Sequence, residues 1–288
     1  MSGLFLRTAR GSLVVRDRCA IMGILNCTPD SFSDGGRYLD LEAALSHARN
    51  LIAQGADILD IGGESTRPFS QPVSAEEECR RVLPLIRELR RETDIPISID
   101  THKAKVAQGA LEAGADMVND ISALGDPDML SLCADTGAAC ILMHMQGTPQ
   151  TMQLAPGYAD TIHEIMIFLE EKIKAAVAGG LERDRILVDP GIGFGKTLED
   201  NLQILANLDA FRSLGYPLLL GASRKRFLRT LTTRHGREPA PSSTEVLAGT
   251  LTTSILAAQA KVSVIRVHDV AATRAAFDVL DAIERARP

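Results

Sequence analysis

The residues of this chain best suited to chemistry are the polar side chains that stand where apolar runs stop. They are Asn26, Thr66, Arg67, Asp100, Asn119, Asp189, Lys225, Arg266 and His268, with Met143 in the same kind of place. Asp189 shows the pattern most sharply. In Ile186-Leu-Val-Asp-Pro-Gly-Ile-Gly-Phe-Gly-Lys-Thr197 an apolar run ends in a carboxylate, and a proline and three glycines follow. The run reads as a buried parallel strand. Pro190 cannot extend it, and the glycines let the backbone fold tightly over a flat ligand.

The set divides by chemistry. Asp100, Asn119, Asp189 and Lys225 suit a flat heterocycle with several donors and acceptors, because a carboxylate can take two parallel N–H bonds from an amino-pyrimidinone edge. Asn26, Arg67, Arg266 and His268 suit a phosphate, with Asn26 offering a hard oxygen to Mg²⁺. The guanidinium of Arg266 can also stack on a ring. The Asp189 segment nearly matches the phosphate loop G-x-x-x-x-G-K-[ST], but Pro190 stands at its first position. Proline offers no N–H to a phosphate and fixes φ, which argues against a nucleotide loop.

Each residue alone has an ordinary explanation. A carboxylate at a strand end can be a helix cap or an ion-pair partner. A lone methionine fills core, a lone arginine is a solvated charge, and a lone histidine is a satisfied structural residue. The argument lies in the set, since those explanations must hold separately at every strand. The six histidines show no H-x-x-x-H or H-x-H spacing, so a histidine metal site is weakly supported.

The elements that must position these residues repeat one grammar: an apolar run, a polar end, a helical stretch. The runs are Ala20–Leu25, Ile58–Ile61, Ile97–Ile99, Met117-Val118, Ala139–Met143, Ile186–Val188, Leu218–Gly221 and Ser263–Val267. Helical stretches follow at about 41–54, from 75, 103–113, 129–134, 160–177, 199–208, 244–260 and from 271. Ser74-x-x-Glu77 reads as a capping box. Eight strand–helix units predict a closed (β/α)₈ TIM barrel, one α/β domain over residues 1–288. Residues 1–18 would form an N-terminal hairpin across its bottom, and 19–288 the barrel. A doubly wound open sheet is the alternative, but it would not normally aim all eight strand ends at one mouth.

Composition bounds the reading. The chain has 288 residues, 45% of them hydrophobic, and a formal net charge of −6. That charge argues against nonspecific nucleic-acid binding. The five scattered cysteines form no C-x-x-C pair, as in a cytoplasmic protein with reduced thiols. No apolar run approaches the ~20 residues of a membrane helix. The apolar late helices, near 246–258 and 271–283, suit a symmetric homodimer.

Four segments carry a resemblance. Asn26-Cys-Thr-Pro-Asp-Ser-Phe-Ser-Asp-Gly-Gly, Asp60-Ile-Gly-Gly-Glu-Ser-Thr-Arg-Pro, Asp189-Pro-Gly-Ile-Gly-Phe-Gly-Lys-Thr and Gly221-Ala-Ser-Arg-Lys, with Arg266-Val-His-Asp near the end, resemble the dihydropteroate synthase family in order and spacing. Phe69 and Asp200 depart from its usual pattern, at positions given no chemical role. The resemblance implies condensation of 6-hydroxymethyl-7,8-dihydropterin diphosphate with 4-aminobenzoate to 7,8-dihydropteroate and diphosphate. By that resemblance Asp100, Asn119, Asp189 and Lys225 hold the pterin, with Met143 and Arg266 against its faces. Asn26 binds Mg²⁺, and Arg67, Arg266 and His268 take the diphosphate. Thr66, Pro68, Phe32, Phe194 and Ser223 form the aminobenzoate pocket, and Asp34 stabilises a cationic carbon in an SN1-like step. The aminobenzoate carboxylate is expected at Ser223 and the start of the helix after it. Rival readings are a folate-dependent methyltransferase, which needs no diphosphate site, an aldolase using Lys225 as a Schiff base, and a non-catalytic pterin-binding subunit.

Overall fold

A computed structural model describes residues 5–14, 18–27, 37–66 and 70–287. Strands β1 (Phe5–Arg7) and β2 (Ser12–Val14) form an antiparallel hairpin. The barrel strands follow: β3 (Ala20–Asn26), β4 (Ile58–Gly62), β5 (Ile97–Asp100), β6 (Met117–Asp120), β7 (Ala139–Met143), β8 (Ile186–Asp189), β9 (Leu219–Leu220) and β10 (Val264–Val267). All neighbours pair in parallel, in the order β8-β7-β6-β5-β4-β3-β10-β9. A parallel bridge between Val188 and Leu218 closes the sheet on itself, and the Val188 N–H donates to the Pro217 carbonyl at 3.0 Å. The expected eightfold barrel is therefore present. β9 is shorter than its apolar run because Pro217 has no N–H to pair and the chain turns after Gly221.

The helices are α1 (Arg37–Ala53), α2 (Ala75–Glu92), α3 (Ala104–Glu112), α4 (Met129–Thr136), α5 (Thr161–Ala178), α6 (Leu198–Ala206), α7 (Leu208–Arg212), α8 (Arg226–Leu231), α9 (Thr244–Gln259) and α10 (Val270–Arg285). At α2 the Ser74 hydroxyl caps the Glu77 N–H at 3.2 Å, but the box stays half made. The Glu77 carboxylate goes to Arg81 instead, at 2.8 Å, because a cation one turn ahead competes with the backbone donor. A complete capping box stands at α6, between Thr197 and Asp200.

Strand alternation sorts the core into two shells. Ile21, Leu25, Leu59, Ile61, Ile99 and Val118 face outward and pack under the helices. Ala20, Met22, Ile58, Met117, Ala139, Ile141, Leu187, Leu219 and Val264 face inward and fill the lower barrel. Leu6 of the hairpin belongs to that inner cluster and is fully buried. The hairpin thus plugs the bottom, tied by a hydrogen bond from the Ala9 N–H to the Asp116 carbonyl.

Candidate active site

The inward phase of each strand runs on into the site. Met22 is followed two and four residues later by Ile24 and Asn26, Ile58 by Asp60, Ser98 by Asp100, and Met117 by Asn119. Ile141 is followed by Met143, Leu187 by Asp189, and Val264 by Arg266 and His268. The interior is therefore apolar below and polar above, by period two alone. Register levels the polar layer: Asp100 pairs beside Asn119, Gly62 beside Asp100, and Met143 beside Asp189. Gly62 carries no side chain into the mouth at that level, where an added Cβ would touch the Asp100 Cβ at 3.4 Å.

The centre is an arginine held by two carboxylates. Arg266 Nε donates to Asp60 Oδ2 at 2.5 Å, and its Nη2 to Asp100 Oδ2 at 2.6 Å. Asn119 Nδ2 reaches the same Asp60 oxygen at 3.3 Å. The second oxygens, Asp60 Oδ1 and Asp100 Oδ1, are buried and have no hydrogen-bond partner among the described residues. Burial raises the Asp100 carboxyl to about 7, against the lowering pull of Arg266 and with help from Asp60. Burial works to lower the Arg266 pKa, but Asp60 and Asp100 outweigh it and the guanidinium stays charged. Asp60 lies outside the set of residues that end the apolar runs. The signal was there: it is the one charge in the Ile58–Gly62 run, and it lies in the inward phase.

Around this centre stand the other groups. Asp189 is buried, and its Oδ1 accepts from the Gly191 N–H at 2.7 Å. Burial raises its pKa, opposed chiefly by Lys225. The Lys225 ammonium donates to the Ile192 carbonyl and lies 4.3 Å from the centre of the Phe194 ring. Burial lowers it to about 8, against the pull of Asp189. Ser223 is buried with its Oγ 3.0 Å from His268 Nδ1, and the His268 N–H donates back to that hydroxyl at 3.2 Å. Arg224, at φ +56°, pairs with Asp269 and clamps these two loop starts together. The helix after Ser223 is only the six residues of α8, starting at Arg226, so it offers little of the helix dipole expected there.

Asn26 ends β3 beside Gly62, half-buried, and its carboxamide makes no hydrogen bond among the described residues. Among those residues no three His, Cys, Asp or Glu side chains cluster as metal ligands. One neutral oxygen fits Mg²⁺ only as a cation that also binds substrate phosphate and water, which is how Mg²⁺ prefers to be held. Thr66 and Met143 line a cavity of about 360 Å³ whose lining includes none of Asp60, Asp100, Asn119, Asp189, Lys225 or Arg266. Its segment is anchored from behind. Lys103 bridges Glu64 and the fully buried Glu78, Glu64 Oε1 accepts from the Val73 N–H at 3.1 Å, and Arg81 donates to the Gly63 carbonyl at 2.8 Å. Phe32, Asp34, Arg67 and Pro68 lie outside the described residues. Of the other expected groups, Asp100 meets Arg266 directly and Asn119 meets it through Asp60, Asp189 and Lys225 act on it electrostatically, Phe194 lies against Lys225, and Ser223 meets His268.

A parallel barrel whose strand ends gather carboxylates, an amide and cations is a TIM barrel with a polar mouth. The pterin-binding enzyme family matches residues 22–268. A curated relative, dihydropteroate synthase of Synechocystis sp., is 46% identical over 269 residues, covering 93% of this chain and 91% of its own. The fold matches Xanthomonas albilineans dihydropteroate synthase solved with 4-aminobenzoic acid, at TM-score 0.91 and 45% identity over the whole of both chains. It also matches that enzyme in complex with 7,8-dihydropteroate, at TM-score 0.87 and 44% identity, over 99% of this chain and 100% of that one. The chain belongs to the pterin-binding enzyme family and, within it, to the dihydropteroate synthases, which are transferases.

Proposed function

We propose that this chain condenses 6-hydroxymethyl-7,8-dihydropterin diphosphate with 4-aminobenzoate, forming 7,8-dihydropteroate and releasing diphosphate. The observation that carries the reading is the pair of buried carboxylate oxygens without partners at the mouth, on Asp60 and Asp100. Buried acceptors are rarely left unmatched, and a ring edge rich in N–H donors would satisfy them. Asn119 and Asp189 extend the same edge, Lys225 donates to the ring, and Met143 and Arg266 take its faces. The relatives support the choice of ligands: one is solved with the arylamine and one with the condensed product.

His268, Arg266 and Arg67 would draw off the charge of the departing diphosphate. Asn26 would hold Mg²⁺ together with the diphosphate, and the bound ion would supply further neutralisation of the leaving group. The C–O bond then breaks with its electron pair going to diphosphate, before the weakly nucleophilic arylamine attacks. The electron-rich pterin stabilises the resulting carbon cation, helped by Asp34. The arylamine nitrogen bonds to that carbon and loses a proton, with Thr66, Pro68, Phe32, Phe194 and Ser223 around the ring. The five cysteines are all unpaired thiols, in keeping with a cytoplasmic enzyme. Exposed Leu256 on α9 and Val279 and Ile283 on α10 suit a homodimer through these helices.

The test is turnover with both substrates and Mg²⁺, reading diphosphate and dihydropteroate. Release of diphosphate coupled to the arylamine is expected, and no release rejects the reaction. Crystals soaked with the pterin diphosphate alone should show a cleaved pterin. A strict need for the amine before cleavage would reject the dissociative order but not the reaction.

A further inference from the structure

Lys196 occupies the lysine position of the near phosphate-loop pattern, yet it does not face the mouth. It is only 3% exposed. Its ammonium donates to the Phe194 carbonyl at 2.9 Å and the His144 carbonyl at 3.3 Å, and lies 2.9 Å from His144 Nδ1. Burial first, and then the Lys196 charge, hold the His144 pKa down at about 3. The imidazole is therefore neutral, and its Nδ1 lone pair receives the Lys196 N–H. The charged or titratable groups around Lys196 are His144 from the end of β7, Asp189 from β8, Asp200 from α6, Lys225 ahead of α8, and Tyr158, whose ring centre is 6.0 Å away. Burial lowers Lys196 itself to about 7, opposed by Asp189. In either protonation state it keeps N–H donors for both carbonyls.

The loop it serves is pressed flat on the neighbouring strand end. A Cβ at Gly191 would fall 1.9 Å from the His144 carbonyl oxygen, and one at Gly195 2.4 Å from that of Gln146. Tyr158 adds a hydrogen bond from its hydroxyl to the Gly195 carbonyl at 2.7 Å. The loop's two ends matter to the site: the Gly191 N–H orients Asp189, and Phe194 lies against Lys225. A buried ammonium is costly, and a methionine would fill the same space without that cost.

We propose that Lys196 is a positioning residue, whose amine pins the β8 loop to the end of β7 and thereby sets Asp189 and Phe194 where the pterin and the arylamine are held. This rests on the reaction proposed above, although Lys196 touches neither substrate. Its loss releases groups that bind the ground state and transition state alike, so it acts on KM before kcat.

The test is steady-state kinetics on the full chain with Lys196→Met and His144→Leu, together with amide hydrogen exchange. Lys196→Met should raise both KM values about tenfold, the worth of a charged hydrogen bond, with a much smaller change in kcat. The amides of residues 191–195 should exchange faster while those of β3 to β5 do not change. His144→Leu removes one of three acceptors and should move both KM values the same way by about threefold. A folded Lys196→Met enzyme with both KM values within about twofold of the parent overturns the proposal. If that variant does not fold, unchanged KM values in His144→Leu overturn it and raised ones support it. If the parent shows no turnover at all, the reaction fails separately, and exchange at 191–195 in either folded variant then decides the role of the pin.

Discussion

Two arginines sit against buried aspartates at opposite ends of the barrel. At the bottom, Arg90 of α2 bonds Asp116 Oδ2 at 2.6 Å, and its other donors go to the carbonyls of Gly114, Thr93 and Ile95. The same Asp116 oxygen also takes the Ile97 N–H at 2.9 Å. At the top, Arg266 bonds Asp60 and Asp100, and each carboxylate keeps one buried oxygen without a partner among the described residues. The bottom pair spends its donors on backbone and stitches loops together. The top pair leaves acceptors over. Charge and burial are alike in the two places, so neither property marks function. What separates these two places is incomplete satisfaction, since an unmatched buried acceptor costs stability unless a ligand completes it. The mouth does not own that property, because Glu78 Oε1, Tyr216 OH and Thr273 Oγ1 are also buried and unmatched among the described residues.

That contrast can be broken by exchange experiments. The largest effect is expected from Arg90→Met, which strands Asp116 and should lower unfolding free energy by about 3–5 kcal/mol in chemical denaturation. Pterin affinity of the folded protein should be unaffected, and a loss of affinity there would erase the distinction. Arg266→Met should instead lower turnover by about 10²–10³-fold in diphosphate-release assays, since a group aimed at developing charge is lost. Asn119→Ala should weaken pterin binding by about 2–3 kcal/mol in calorimetry, and unchanged affinity would count against its place on the ring edge.

The smallest effect is in pH. Asp100 is raised to about 7 by burial, so the folded protein favours its protonated form. Its contribution to stability is full below the ordinary carboxyl range and is lost as pH rises towards about 7. Ligand binding should run the other way, because ring N–H donors need the ionised acceptor. Pterin affinity should therefore rise from acid pH to pH 8, and Asp100→Asn should flatten that rise while gaining stability relative to the parent at the alkaline end. A parent affinity that falls over this range would contradict the assignment.

The resting arrangement of the strands was legible in the chain because parallel strands buried on both faces read as short continuous apolar runs. Asp100, Asn119, Asp189 and Arg266 were legible because each interrupts such a run. Asp60 escaped because it interrupts β4 in its middle, not at its end, and only the inward phase of a closed barrel lets the Arg266 side chain reach it from β10. Lys196 was visible as part of a pattern, but its direction was not: the positive φ of Gly191, Gly193 and Gly195 turns the loop so that the amine points away from the mouth. Ser223 and His268 lie 45 residues apart and meet only because β9 and β10 are neighbours.

By itself, then, the order of residues determined the eightfold alternation, the plugging hairpin and the chemical kinds of group available at the strand ends, since these follow from local periodicity and from which residues can end a buried strand. The tertiary structure alone decided which carboxylates share a cation and which oxygens go unmatched. Those outcomes depend on closure of the barrel and on strand register, which set distances between residues up to 206 positions apart.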